Sequence, residues 1–177
     1  MTNTSILSRP RYRRLTLDGA GRRHLLLCGS LEMPETGFEE AAAFDAVERW
    51  VVGRDHASVA ALLAALASLL AEETMGLRLY VAGSEAFLWD VVAIGTAAGL
   101  GLDEIQLHHF GSRRRRVQCV HCRSLMEDVA TSIVACSGCG AALFVRDHFS
   151  QRIAAFQGVQ VDAEVPGERP APQDIYL

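Results

Sequence analysis

Short apolar runs and helical stripes alternate along the first part of the chain. After a polar lead-in over residues 1–23, with weak strand character from Leu15 to Leu17, His24 to Cys28 is a compact apolar run. It stops at Gly29-Ser30, as a buried strand entering a turn does. Phe38 to Val52 places Phe44, Val47 and Val51 at helical spacing before Gly53, which predicts an amphipathic helix. Val59, Leu62, Leu63, Leu66, Leu69 and Leu70 then form one stripe along a second helix, with Asp55 or Ser58 as its cap. Leu77 to Val81 is expected as a strand. Glu85 to Ala98 is expected as a helix with Phe87, Leu88, Val91 and Val92 inward, and Glu104 to Leu107 as a further strand. This alternation over roughly residues 24–110 predicts an α/β fold, a small open parallel sheet flanked by helices.

The pattern changes at Gly111. Four consecutive arginines, Arg113 to Arg116, precede the rest, and they suit equally a solvated hinge or a basic edge for an acidic partner. Leu143-Phe144-Val145 is expected as a closing strand. Phe149 to Phe156 is expected as a helix of about two turns, with Phe149, Ile153 and Phe156 on one side. Val165 to Leu177 carries Pro166, Pro170 and Pro172 and is expected to be extended, without a core of its own. The expected division is an α/β domain over 1–112, a metal-binding module over 113–150, and a short helix with an extended partner-binding tail over 151–177.

Four cysteines carry the strongest chemistry. Cys119-Val120-His121-Cys122 and Cys136-Ser137-Gly138-Cys139 are two C-x2-C turns separated by thirteen residues. Two such turns facing each other give a tetrahedral sulfur cage suited to zinc or a single iron ion. Cys119, Cys122, Cys136 and Cys139 are therefore the expected ligands, with zinc ahead of iron and no open position for catalysis. Cys136-Ser137-Gly138-Cys139-Gly140 resembles a rubredoxin knuckle, whereas Arg123 follows the first pair. His121 is expected as an exposed loop residue or a hydrogen-bond donor rather than a fifth ligand. His108 and His109 should point to opposite faces of a strand. Asp147 and His148 are expected to cap the helix that follows them, and Cys28 to be a small buried side chain.

Composition narrows the classes. The formal charge of −4 argues against a general nucleic-acid binder. No apolar run is long enough for a membrane span. The start lacks the apolar stretch of a secretory signal, and cysteines in metal spacing fit a reducing, cytoplasmic setting.

Two resemblances extend this reading. Leu79 to Leu88, with Ile105 to Phe110, resembles the last strand–helix–strand unit of the nicotinamide-binding half of the ferredoxin-reductase family. Gly83 and Phe110 match that pattern, whereas Ala82, Ser84 and His108 replace its cysteine, proline and glutamate. The turn after the first strand, Gly29 to Glu35, has one glycine and two acids, which would repel a pyrophosphate. A domain without a working nucleotide site is expected.

The stretch from Val117 onward resembles the dimethylamine monooxygenase A-subunit family. The resemblance rests on the two knuckles, on Leu143 to Ser150, on Ala154 to Val159, and on Asp162 to Glu168. It implies an accessory subunit, structural or electron-relaying, of a haem-dependent complex that converts dimethylamine to methylamine and formaldehyde with NADPH and oxygen. The partners it implies are a haem-containing monooxygenase subunit plus a flavin and [2Fe-2S] reductase subunit, with those cofactors on them. This chain offers no catalytic residue and no haem or flavin motif. A nucleic-acid-binding zinc ribbon and a stand-alone nicotinamide-dependent reductase are the alternatives.

Overall fold

The computed structural model describes residues 8–72 and 75–177; the first part of the lead-in, residues 1–7, lies outside them. Two compact units emerge, one over Tyr12–Gly111 and one formed by Ser112–Leu177 together with residues before Tyr12.

The first unit is a four-stranded, wholly parallel sheet. β1 (Arg23–Cys28), β2 (Glu48–Val51), β3 (Leu77–Gly83) and β4 (Ile105–His109) lie in the order β2-β1-β3-β4. α1 (Ala41–Asp45) precedes β2, α2 (Val59–Glu72) links β2 to β3, and α3 (Glu85–Ala97) links β3 to β4. Ser58 starts α2, its Oγ accepting the Ala61 amide at 3.2 Å. Asp55 instead accepts the Val51 amide and pairs with Arg54.

The stripe on α2 buries Leu62, Leu66 and Leu70, and α3 buries Phe87, Leu88, Val91 and Val92. Each such side chain contributes about 1.5–3 kcal/mol on leaving water. Among the described residues, the opposite face of the sheet has no helical layer of that size. There Leu26, Cys28, Tyr80 and Ala82 pack against Leu15, Met33, Phe38 and Val47 from the lead-in and the β1–β2 connection.

One sequence expectation fails in this unit. The helix expected over Phe38–Val52 shrinks to α1, and its second half becomes β2, whose Glu48–Val51 pair in register with Leu25–Cys28. Backbone pairing with β1 outweighs the apparent helical spacing of Phe44, Val47 and Val51.

The second unit is a five-stranded sheet. Its strands are β5 (Arg115–Cys119), β6 (Leu125–Val129), β7 (Ile133–Ala135), β8 (Ala142–Ser150) and β9 (Ala155–Gln160), in the order β6-β5-β9-β8-β7. β5–β6 and β7–β8 are hairpins, and β9 lies between them, parallel to β5 and antiparallel to β8.

The helix expected over Phe149–Phe156 is absent. A short 3-10 turn, Gln151–Ile153, and Ala154 at φ 49° reverse the chain into β9. Phe149 and Phe156 become cross-strand partners with their rings 5.0 Å apart, edge to face. The expected boundary at 150 thus falls inside one sheet, and neither Asp147 nor His148 caps a helix.

The tail does not lack contacts with its own module. The Ser132 amide donates to Gln173, and the Ile175 and Tyr176 amides donate to Ala130. The guanidinium of buried Arg115 lies between the rings of Phe156 and Tyr176, 3.8 Å from each centroid, and pairs with Asp147 at 2.6 Å.

Candidate metal centre

Each hairpin of the second sheet ends in one C-x2-C turn. The two turns have the same backbone pattern. The Cys119 amide donates to the Ser124 carbonyl and the Arg123 amide to the Cys119 carbonyl; the Cys136 amide donates to Ala141 and the Gly140 amide to Cys136. Arg123 and Gly140 occupy equivalent left-handed positions, at φ 65° and 74°. Glycine takes that conformation freely, whereas an L-side chain there costs about 1–2 kcal/mol.

The four sulfurs converge. Sγ of Cys119 and Cys139 are 3.8 Å apart, Sγ of Cys122 and Cys136 are 3.5 Å apart, and all four lie within 4.8 Å of one another. A tetrahedral ion with metal–sulfur bonds of about 2.3 Å requires sulfur–sulfur edges of about 3.8 Å. The donor set and the spacing both fit, so the cysteines are positioned to bind a metal ion. Cys119 and Cys136 are buried and Cys122 and Cys139 exposed.

The protonation pattern shows why a cation belongs there. Ser124 stabilises the Cys122 thiolate, first through its hydroxyl 3.2 Å away and then through its backbone, and lowers that thiol to about 6. Cys139 is favoured as a thiolate by the Ala141 backbone, yet partial desolvation and the neighbouring sulfurs push it up to about 12. Negative charge on one sulfur opposes negative charge on the next, and a bound cation removes that opposition. Gly138 sits close: its amide nitrogen is 3.4 Å from Cys136 Sγ, and a Cβ there would lie 2.1 Å from Ser124 Oγ.

The other residues singled out by sequence lie apart from this cluster. His121 is exposed on the first turn, and His148 is exposed on β8. His108 donates through Nδ1 to the Arg13 carbonyl, while His109 stacks on Tyr12. Cys28 is buried in the first unit, and burial raises its thiol. Of the four arginines, Arg113 and Arg114 are exposed. Arg115 is enclosed, and Arg116 pairs with Glu127 at 2.6 Å. A uniform four-charge edge is therefore not what the fold presents. Sequence reasoning misses Ser124 and Tyr176, and does not set Arg115 apart from its neighbours. Ser124 follows Cys122 by two residues, and that spacing is the available signal.

The order β2-β1-β3-β4 places a topological switch point between the carboxyl ends of β1 and β3, where open α/β sheets bind ligands. Here the Phe87 ring lies against both Gly29 and Gly83: a Cβ on either glycine would come within 2.6–2.8 Å of it. Glu85 opens α3, accepting from Tyr12 at 2.8 Å. An aromatic ring and a carboxylate thus stand where a dinucleotide turn has open space and free amides.

Two family profiles match the chain in order. Residues 39–105 match the N-terminal domain, and residues 116–159 the C-terminal domain, of "Dimethylamine monooxygenase subunit DmmA-like" proteins. The chain belongs to the DmmA-like family. A relative from Ectopseudomonas mendocina (strain ymp), named "Heme-dependent oxidative N-demethylase delta subunit", is 42% identical over 112 residues. The match covers 63% of this chain and 64% of that relative, so it spans less than two thirds of the relative's length. No solved structure gives a significant match. Among the described residues, no helix is long and apolar enough to cross a membrane.

Proposed function

We propose that this chain is a non-catalytic accessory subunit of a haem-dependent oxidative N-demethylase, in which the four cysteines hold a structural zinc. The observation that carries the metal half of this reading is the closed sulfur cage. Four protein thiolates fill a tetrahedral ion and leave no position for substrate or water. Membership of the complex is supported by the family and by the name of the related delta subunit.

Zinc supplies folding energy rather than redox chemistry. With zinc, the subunit works as a scaffold. The proposed partners are a haem-containing monooxygenase subunit plus a flavin/iron–sulfur reductase subunit. The proposed substrate is dimethylamine, and the proposed electron source is NADPH. The unit Tyr12–Gly111, narrower than the 1–112 expected from sequence, is proposed as a ferredoxin-reductase-like domain without a working nucleotide site, and Phe87 at the switch point favours that reading.

A second reading has its own observation. Cys122 and Cys139 are exposed, so a single iron in the same cage would have two sulfurs facing a partner and would serve as an electron relay.

Co-expression tests the proposal. The chain is expected to co-purify with haem and flavin proteins and, alone, to leave dimethylamine unoxidised. A stable monomer that ignores those proteins would contradict it.

A further inference from the structure

The two faces of the five-stranded sheet are finished differently. One carries Val117, Val145, Phe149 and Phe156, all buried, and the tail brings Tyr176 onto that side over Arg115. Strand register places Ile133, Phe144 and Val159 in one row on the other face, and pairs Gln118 with both Leu125 and Gln157. Among the described residues that face is open: Phe144 is 43% exposed and Leu125 48%, and Val120 in the adjoining turn is 47% exposed.

Exposed arginines stand on and beside it, in a chain whose net charge is negative. The ladder is irregular between Val145 and Phe149; there Asp147 turns inward to Arg115, while Arg146 and His148 on either side of it are exposed. His121 and Arg123 are exposed at the metal end. Of the acids on β6, Glu127 is neutralised by Arg116, and Asp128 sits at the irregular edge, at φ 55°. The molecule as a whole carries −4. Five strands about 4.8 Å apart span about 20 Å, enough for one side of a small protein interface. An exposed aromatic with aliphatic neighbours, ringed by arginine and histidine, has the make-up of such an interface.

We infer that this outer face, centred on Phe144 and rimmed by Arg146, His148, His121 and Arg123, docks a protein partner whose contact surface is acidic. The apolar centre favours a protein over nucleic acid, which would require a more continuous basic surface. The inference rests on the reading of the chain as part of a complex, and identifies which of its surfaces makes that complex.

The experiment titrates the full-length, metal-loaded chain with the purified haem subunit or, separately, with the purified reductase subunit. Three variants are compared: Phe144→Ser, Arg146→Glu, and Leu102→Ser as an exposed apolar control in the other unit. Metal content and circular dichroism establish that each is folded; should Phe144→Ser fail to fold, Arg146→Glu decides.

One of the two subunits is expected to bind, more weakly in high salt. Phe144→Ser and Arg146→Glu should each weaken it at least about tenfold, and Leu102→Ser should leave it unchanged. Unchanged affinity in the folded face variants would overturn the docking face while leaving membership of the complex standing. No complex with the unsubstituted chain would overturn both. Self-association abolished by Phe144→Ser, or DNA that binds this face more tightly than either subunit, would also overturn it.

Discussion

Replacing Gly29 with alanine tests whether the Phe87 ring occupies the place of a nucleotide. Gly29 follows β1 without a left-handed backbone, so alanine meets no conformational penalty there, and its cost is steric. The added Cβ would lie 2.6 Å from Cδ1 and 2.8 Å from Cγ of Phe87, where carbon atoms prefer about 3.5–4.0 Å. The ring would have to retreat by about 1 Å, and it is buried between the sheet and its own helix. Overpacking of this kind costs about 1–3 kcal/mol. Phe87→Leu alone leaves a small void and costs about 1–2 kcal/mol. In the double variant the methyl fills part of that void, so the two costs should fall short of their sum by about 1 kcal/mol or more. Urea unfolding with unchanged slope measures all three. An NADPH titration of each variant should give no saturable signal, because Glu85 still opens α3 at the switch point, whereas Glu32 is paired with Arg49 and Arg54. Additive costs, within about 0.5 kcal/mol, would refute the steric argument.

Other perturbations separate the remaining interactions. Cys119→Ser or Cys136→Ser should abolish metal binding and lower the melting transition of the second unit, with the first unit's transition kept, as calorimetry would show. Asp147→Ala should cost about 1–3 kcal/mol by leaving the enclosed Arg115 charge unpaired, whereas Arg115→Met should be within about 1 kcal/mol of neutral. Gln160 and Arg169 hold Asp162 at about 2 in the folded state, so its contribution is present above the ordinary carboxylate range near pH 4 and is lost as pH falls through about 2. Asp162→Asn should accordingly flatten the acid limb of a stability–pH curve.

The sulfur cage was legible because its chemistry is written in local spacing: each C-x2-C turn brings its own pair together, and Gly140 marks the second. The helices α2 and α3 were legible because each buries one continuous stripe. Phe149 and Phe156 were misleading for a definite reason. Seven residues is two helical turns, and it is also the separation of two residues paired across this hairpin. Ala154 in a left-handed turn gave no glycine or asparagine to mark the reversal. β2 was hidden likewise, since its strand character comes from pairing with β1 rather than from alternation. Arg115 looked like one charge in a solvated run, and what encloses it arrives from Phe156 and Tyr176, far along the chain.

The proposed role turns on which ion Cys119, Cys122, Cys136 and Cys139 would hold. Elemental analysis with a visible spectrum, on unheated, tag-free protein, tests it most directly. A colourless protein with about one zinc per chain, lost in Cys136→Ser, is the predicted result. A red protein with sulfur-to-iron charge-transfer bands and stoichiometric iron would contradict the proposed scaffold and favour the electron-relay reading instead.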